Sequence, residues 1–323
     1  MSPDENKDDH MLLGLHTYSL YLHGIGQAWA GFKLPWERQL STFQLFDLGI
    51  DLGLDGFHLD DGVLENLESS FLREVGAAAK EKNLFLEYNM SLDLGQFGIG
   101  IQHDLKDGLT TAKAIGADVV KVSMDIPRPR PRAGSRFHPK VIPYLIKTGD
   151  LLKAAVPMAE SYGIRLGLEN HCDSFSEEIL WVLKEVNHPF VGACIDTMNA
   201  WHMAEDPMKA IENLAPVAVT NHFRNDRVEF CRDGFRVRGT AVGDGDIDMK
   251  KAYDLIKRKS PTNRINIETE MGFSLENREE ALRLEIAIIK KSIHFCRTVL
   301  NIGKDKSERL QKKTIESTKV RYR

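Results

Sequence analysis

The sequence predicts an α/β fold, a single (β/α)8 TIM barrel with a C-terminal tail, for this 323-residue chain. Three observations predict it. Eight short runs rich in Val, Ile and Leu alternate with longer segments of helical period, the pattern of a parallel sheet built from β-α units. No Pro- or Ser-rich linker divides the chain, so its length fits one barrel better than two domains. No G-x-G-x-x-G follows the first strand, which leaves a doubly wound dinucleotide-binding sheet without its fingerprint. The barrel is expected over residues 11–302, between a disordered segment at 1–10 and a charged tail at 303–323.

The strands, in order, are "LLGLHTY", "GFHLD", "LFLEYN", "DVVKVS", "IRLGLEN", "VGACID", "VAVTNH" and "INIETE". Between them, helical period predicts helices near 37–53, 65–82, 102–116, 139–162, 176–186, 207–214 and 248–259, with a last long one from Asn277 to about Leu300. Ser174 and Ser176 before "EEILWVL", and Asp246 before "IDMKKAYDLI", supply capping chemistry, while Gly53, Gly116 and Gly163 mark helix ends. The segment "GDGDID" reads as a turn and helix cap. Asp125 to Pro139, "DIPRPRPRAGSRFHP", is rich in Pro and Arg and reads as an extended loop on the face where barrel active sites lie, with Arg130 and Arg132 as candidate substrate contacts. The glycines Gly24, Gly26 and Gly31 around Trp29, Phe32 and Trp36 make a mobile aromatic loop, either core packing or a lid. The tail is a frayed end or an arm to a second subunit. His23, His103 and His188 read as solvated or capping residues.

Composition narrows the class. Hydrophobic residues at 42%, charged residues at 28% and a net charge of -4 describe an ordinary globular enzyme, without a field that implies nucleic acid or membrane as partner. Cys172, Cys194, Cys231 and Cys296 form no C-x-x-C, so reduced thiols are expected. The polar start "MSPDENKDDH" lacks a signal-peptide core, and no run is long and apolar enough to span a membrane; a cytoplasmic location is expected.

Side chains alternate sides along a strand, and in a barrel one parity faces the axis. In "IRLGLENH" Ile164, Leu166 and Leu168 share the helix-facing parity, while Gly167, Glu169 and His171 share the inward one. The same parity gives Asp196 at the end of "VGACID", His222 at the end of "VAVTNH", and Glu268 and Glu270 in "INIETE". Glu169, Asp196, His222 and Glu268 would converge at the C-terminal mouth. Three uncompensated carboxylates so close are costly, and a divalent cation is the simplest compensation. Oxygen-rich donors with one imidazole suit Mn²⁺ first, with Mg²⁺, Co²⁺ or Zn²⁺ as alternatives. The earlier strands end in His16 and Tyr18, His58 and Asp60, Glu87 and Asn89, and Lys121 and Ser123, a polar crown suited to a hydroxyl-rich substrate. His171, inward and two residues past Glu169, can be a base, a substrate contact or a support for the metal ligands.

In this order, "LGLEN", "CIDTMNA", "VTNHFRN", "GDGDID" and "INIETE" resemble the xylose isomerase-like TIM-barrel superfamily of sugar isomerases and epimerases, over about Leu12 to Leu300. The resemblance implies one divalent metal held by Glu169, Asp196, His222 and Glu268. It also implies that Glu169 and Glu268 exchange a carbon-bound proton, as in ketose 3-epimerases. Two positions depart from that pattern: Asn199 stands where those enzymes place a histidine, and Arg227 lies five residues after His222, where their substrate-binding arginine lies six after.

The leading expectation is therefore a metal-dependent isomerase or epimerase of a keto-sugar or related polyol, working as a homo-oligomer or with a partner subunit that completes the site. The alternative is a lyase on the same scaffold: a dehydratase of an inosose-like or dehydroshikimate-like compound, or an enzyme that eliminates an aglycone from a 3-keto-glycoside. It would need an acid for the leaving group, and His171 motivates it. Apurinic endonucleases share the superfamily fold, but their trinuclear zinc site needs more histidines, and a net charge of -4 offers little to a phosphate backbone.

Overall fold

The computed structural model describes residues 11–25, 36–95, 104–270 and 277–303. The segments 1–10 and 304–323, the residues Trp29 and Phe32, and His103 lie outside the described residues. Eight parallel strands stand in the order β1 (Leu12–His16), β2 (Gly56–Asp60), β3 (Phe85–Ser91), β4 (Val119–Ser123), β5 (Arg165–Glu169), β6 (Val191–Asp196) and β7 (Ala218–His222), with β10 (Arg264–Ile267) beside β1. The helices are α1 (Thr42–Asp51), α2 (Ser69–Glu81), α3 (Leu105–Ile115), α4 (Ile142–Tyr162), α5 (Ser176–Val186), α6 (Pro207–Leu214), α7 (Met249–Lys259) and α8 (Arg278–Thr298). The result is a TIM barrel, as the alternating pattern predicts.

The main core lies between sheet and helices. Outward-facing Leu13, Leu15, Phe57, Leu59, Leu86, Val120, Val122, Leu166, Leu168 and Ile195 are all buried there. Several helices start on local caps: Ser41 and Gln44 form a capping box at α1, and Asp104, Asp206, Asp248 and Asn277 cap α3, α6, α7 and α8. Two expected caps differ. Asp248, not Asp246, caps α7, because Asp246 accepts the Val228 N–H at 2.8 Å instead. At α5 the Glu178 carboxylate accepts the Phe175 N–H at 3.1 Å, while the Ser176 hydroxyl donates to Glu205 at 2.5 Å. His23 is no solvated residue either: it pairs with Glu285 of α8 at 2.5 Å.

One seam of the barrel is thin. β7 and β10 are joined by a single bridge, Phe223 to Ile267, and the Asn221 side chain fills the gap. Its amide donates to the Arg264 carbonyl at 2.7 Å and accepts the Asn266 N–H at 3.1 Å, copying the bonds a strand neighbour would make.

A hairpin of β8 (Asn225–Cys231) and β9 (Gly234–Thr240) follows β7 and adds two strands to the eight expected. Its signal is present in "VEFCRDGFRVR": two strand-prone runs around an Asp-Gly turn. The ribbon stands apart from the barrel sheet, and Phe230 and Phe235 at its tip are 91% and 62% exposed.

The lower barrel interior is filled rather than hollow. A Cβ on Gly14 or Gly56 would strike the Phe85 ring, so these glycines leave room for the phenyl plug, and the Arg264 guanidinium lies 4.3 Å from its centroid. Glu87, expected at the mouth, sits in this floor. It accepts from Thr220 and from Asn266 at 3.0 Å, and meets Arg264 at 3.2 Å and His58 Nδ1 at 3.2 Å. Burial alone would raise its carboxyl, but His58, Arg264 and Thr220 outweigh burial and hold it at about 2, against an ordinary 4.5.

A carboxyl held low in the folded state stabilises above its unfolded pKa and loses that contribution as pH falls towards the folded value. Glu87→Gln should therefore be less stable than wild type by about 3 kcal/mol at neutral pH. In urea titrations that gap should narrow steadily from pH ~5 to pH ~3. A gap independent of pH would show that Glu87 acts through packing alone.

Candidate metal centre and active site

The four strand ends singled out by parity meet at the C-terminal mouth, and the bonds behind Asp196 and His222 fix the loops that carry them. Asp196 is locked hardest: its Oδ1 accepts the N–H groups of Met198 and Asn199, both at 2.7 Å. Asn170 bonds both sides of the Asp196 peptide, accepting its N–H at 2.8 Å and donating to its carbonyl at 3.0 Å. The Thr197 hydroxyl donates to the Arg224 carbonyl at 2.6 Å and accepts the Arg224 N–H at 2.9 Å, tying the loop after β6 to the chain leaving β7. These bonds aim the free half of each side chain at the axis.

His222 Nδ1 lies 2.9 Å from Glu169 Oε1, 3.0 Å from Glu268 Oε2 and 4.0 Å from Asp196 Oδ2. Glu169, Asp196 and His222 form a compact, buried donor set of the kind that holds a cation, and Glu268 adjoins it through His222. Asp196 Oδ2 and His222 Nε2 are buried without a hydrogen bond, while Glu169 Oε2 faces Lys121 Nζ at 2.5 Å and Glu268 Oε2 faces His222 Nδ1 at 3.0 Å. Buried polar atoms are rarely left so, and a tight group of carboxylates around one imidazole fits a divalent ion with oxygen and imidazole donors.

Burial acts on all four groups. Burial holds His222 at about 3, against the pull of Glu169, so the ring is neutral as a metal ligand must be. Burial, with Glu169 beside it, raises Asp196 to about 6 despite Arg224 and two N–H donors, and burial raises Glu268 well above the carboxylate range. Glu169 goes the other way: burial opposes its charge, but Lys121 and His222 outweigh burial and hold it low.

Charge compensation is richer than the sequence suggested. Lys121 Nζ stands 2.5 Å from Glu169 Oε2, and Arg224 reaches Glu268 at 3.1 Å and Asp196 at 3.7 Å. Arg224 also meets Glu270 at 2.7 Å and Asp226 at 3.7 Å. The carboxylates are therefore not bare charges, and their mutual repulsion no longer argues for a metal by itself. The compact buried grouping of Glu169, Asp196 and His222 does.

His171 sits beside this group with its side chain 17% exposed, its Nδ1 2.7 Å from Asp125 Oδ1. Cys172, Asp125 and Glu169 raise its pKa well above an ordinary histidine, against burial. His16 lies over His222 with ring centroids 4.3 Å apart, and His58 stacks 4.8 Å from each. Although His16, His58 and His222 cluster closely enough to be considered as a second donor set, His16 Nδ1 already accepts the Tyr18 N–H at 3.2 Å. A metal on its other nitrogen would demand an imidazolate.

The remaining expected contacts divide. His16 and Lys121 are buried within the cluster, whereas His58 and Glu87 lie fully buried beneath it. Asn199 serves through its backbone N–H on Asp196. Arg227 is exposed on the hairpin and donates to the Asp244 carbonyl at 2.6 Å; Arg224 occupies the cluster instead. Arg132 is likewise exposed, donating to the Cys172 carbonyl at 3.1 Å, and Arg128 clamps the loop through a bidentate pair with Glu178 at 2.8 and 2.9 Å. Sequence reasoning missed Arg224, Asp125 and His202, the last at the mouth near Arg224 and His171 and held at about 4 mainly by burial. For the first two the signal exists: Arg224 continues the parity of Thr220 and His222, and Asp125 that of Lys121 and Ser123.

Residues 46–292 match the family described as xylose isomerase-like TIM barrel. The 3-oxo-isoapionate decarboxylase of Pectobacterium atrosepticum is 24% identical over 296 residues, which cover 89% of this chain and 96% of the relative. D-psicose 3-epimerase from Clostridium cellulolyticum H10, solved with D-tagatose, superposes with a TM-score of 0.63 at 13% identity, covering 91% of this chain and 99% of that one. A xylose isomerase-like TIM barrel protein from Mycobacterium smegmatis, in complex with magnesium, superposes with a TM-score of 0.58 at 15% identity, covering 89% and 99%. With its eight-stranded barrel and a match over most of its length, the chain belongs to the xylose isomerase-like TIM barrel family.

Proposed function

We propose that this chain is a divalent-metal-dependent lyase of a small, hydroxylated keto compound, breaking the bond beta to a carbonyl. The compact buried donor set of Glu169, Asp196 and His222, with Glu268 beside it, carries the metal dependence. Mn²⁺ is the ion we favour, with Mg²⁺, Co²⁺ and Zn²⁺ as alternatives. When bound, the ion supplies Lewis acidity towards the substrate carbonyl.

The chain's own residues supply the rest. Lys121 and Arg224 place two buried positive charges beside the carboxylates, favouring a substrate that brings a carboxylate or develops negative charge on oxygen. Glu169, held ionised by Lys121, is the base for a proton next to the carbonyl. His171 is a third acid–base group, which a two-glutamate proton exchange does not use. It gives a proton to the departing group in an elimination, or to the carbon left when carbon dioxide departs. A full-length relative that is a decarboxylase supports this reading.

The second reading is the epimerase. Glu169 and Glu268 both approach His222 Nδ1, at 2.9 and 3.0 Å, an arrangement that favours removal of a proton by one carboxylate and its return by the other.

Metal binding is checked by thermal unfolding and elemental analysis. About one ion per chain should bind, and at a concentration near 100 times Kd it should stabilise wild type by about 2.7 kcal/mol. Asp196→Asn should lose both effects, and wild type that takes up no ion after reloading would sink the metal reading. To separate the two reactions, keto acids and ketoses are incubated in D₂O. Release of carbon dioxide or water identifies the lyase, while deuterium gained at unchanged composition identifies the epimerase. In a lyase, His171→Asn should lower kcat by roughly 100-fold or more; undiminished turnover would remove His171 from the chemistry.

A further inference from the structure

We infer that Asp125 is a positioning residue for His171, fixing its ring as the Nδ1–H tautomer so that acid–base exchange falls to Nε2. The catalytic consequence rests on the role proposed above for His171; the tautomer itself does not.

Asp125 lies just past β4, fully buried, with both carboxylate oxygens engaged. Oδ1 faces His171 Nδ1 at 2.7 Å, while Oδ2 accepts the Ser91 hydroxyl and, at 2.7 Å, the Ser123 hydroxyl. Three donors from the ends of β3, β4 and β5 thus converge on one carboxylate. An ionised carboxylate only accepts, so a bond at this distance requires the hydrogen on Nδ1.

The backbone is arranged around this contact. Asp125 adopts a left-handed φ of +53°, uncommon outside glycine, which keeps its side chain in the barrel as the chain turns away. Next to it, the Ile126 N–H donates to Asp173 Oδ2 at 2.7 Å, joining the loops after β4 and β5. A loop fastener alone could use the Asp173 and Arg128 bonds; the Asp125 carboxylate is spent on an imidazole and two hydroxyls.

The test is ¹⁵N NMR of the His171 ring in the full chain, metal-free and loaded with Mg²⁺, alongside turnover of whichever keto substrate the D₂O panel identifies. At a pH alkaline enough to neutralise the ring, wild type should show the Nδ1–H tautomer. In Asp125→Asn, whose amide can donate to Nδ1, the ring should shift towards Nε2–H. The same variant should lose kcat by roughly 100- to 10,000-fold, with KM changed less than about threefold and metal stoichiometry kept. Partial recovery in Asp125→Glu would support the assignment.

An unchanged tautomer in Asp125→Asn overturns the inference whatever His171→Asn does. So does a changed tautomer with full kcat, if His171→Asn has lost activity. Full activity in His171→Asn removes the catalytic role proposed earlier and leaves the tautomer to stand or fall by NMR. Should Asp125→Asn not fold, Ser91→Ala with Ser123→Ala frees Oδ2 while keeping the carboxylate. A broadened ring resonance and about tenfold lower kcat are then expected, and no change in either would count against Asp125.

Discussion

Desolvation of the barrel axis is the constraint on which the rest of this structure depends. Eight strands bring polar side chains into a space without bulk water, where an unpaired polar group costs on the order of 1 to 3 kcal/mol. Low in the barrel the buried carboxylate is met inside the protein: Glu87 takes Thr220, Asn266, His58 and Arg264, and the Phe85 ring fills the space two glycines leave. At the mouth three carboxylates and an imidazole gather on four neighbouring strands, and Asp196 Oδ2 and His222 Nε2 remain without a hydrogen bond. The same physics that makes the floor structural makes the mouth a site for a ligand.

The donor set is usable because its surroundings are rigid. Asp196 is oriented by two N–H groups and by Asn170, and Asn221 zips the seam beside His222. Both asparagines stand next to ligand residues in the chain, with opposite parity, so each mends the sheet while its neighbour points inward. Lys121 and Arg224 keep the carboxylates tolerable as a set, each cation holding one glutamate. Electrostatics, strand pairing and ligand geometry are thus one arrangement.

Much of this was legible in the sequence because it follows from period. Alternation fixed which residue of each strand faces the axis, and it located Glu169, Asp196, His222 and Glu268 without any tertiary information. The same rule, carried one step beyond the strand ends, would have reached Arg224 and Asp125. Asp125 opens a stretch, "DIPRPRP", that reads as a loop, and Arg227, the arginine the resemblance points to, lies on the hairpin. Glu87 misled for a different reason: parity tells which way a side chain points, not how high in the barrel it sits.

By itself the sequence determined the fold class, the eight strands and the identity of the inward carboxylates and imidazoles, because these depend on local period and composition. Only the tertiary structure decided which of those groups are already paired and which are bare. That depends on the stagger between neighbouring strands, which sets heights along the axis, and on contacts between residues far apart in the chain: Glu87 with Arg264, Glu169 with Lys121, Asp125 with His171.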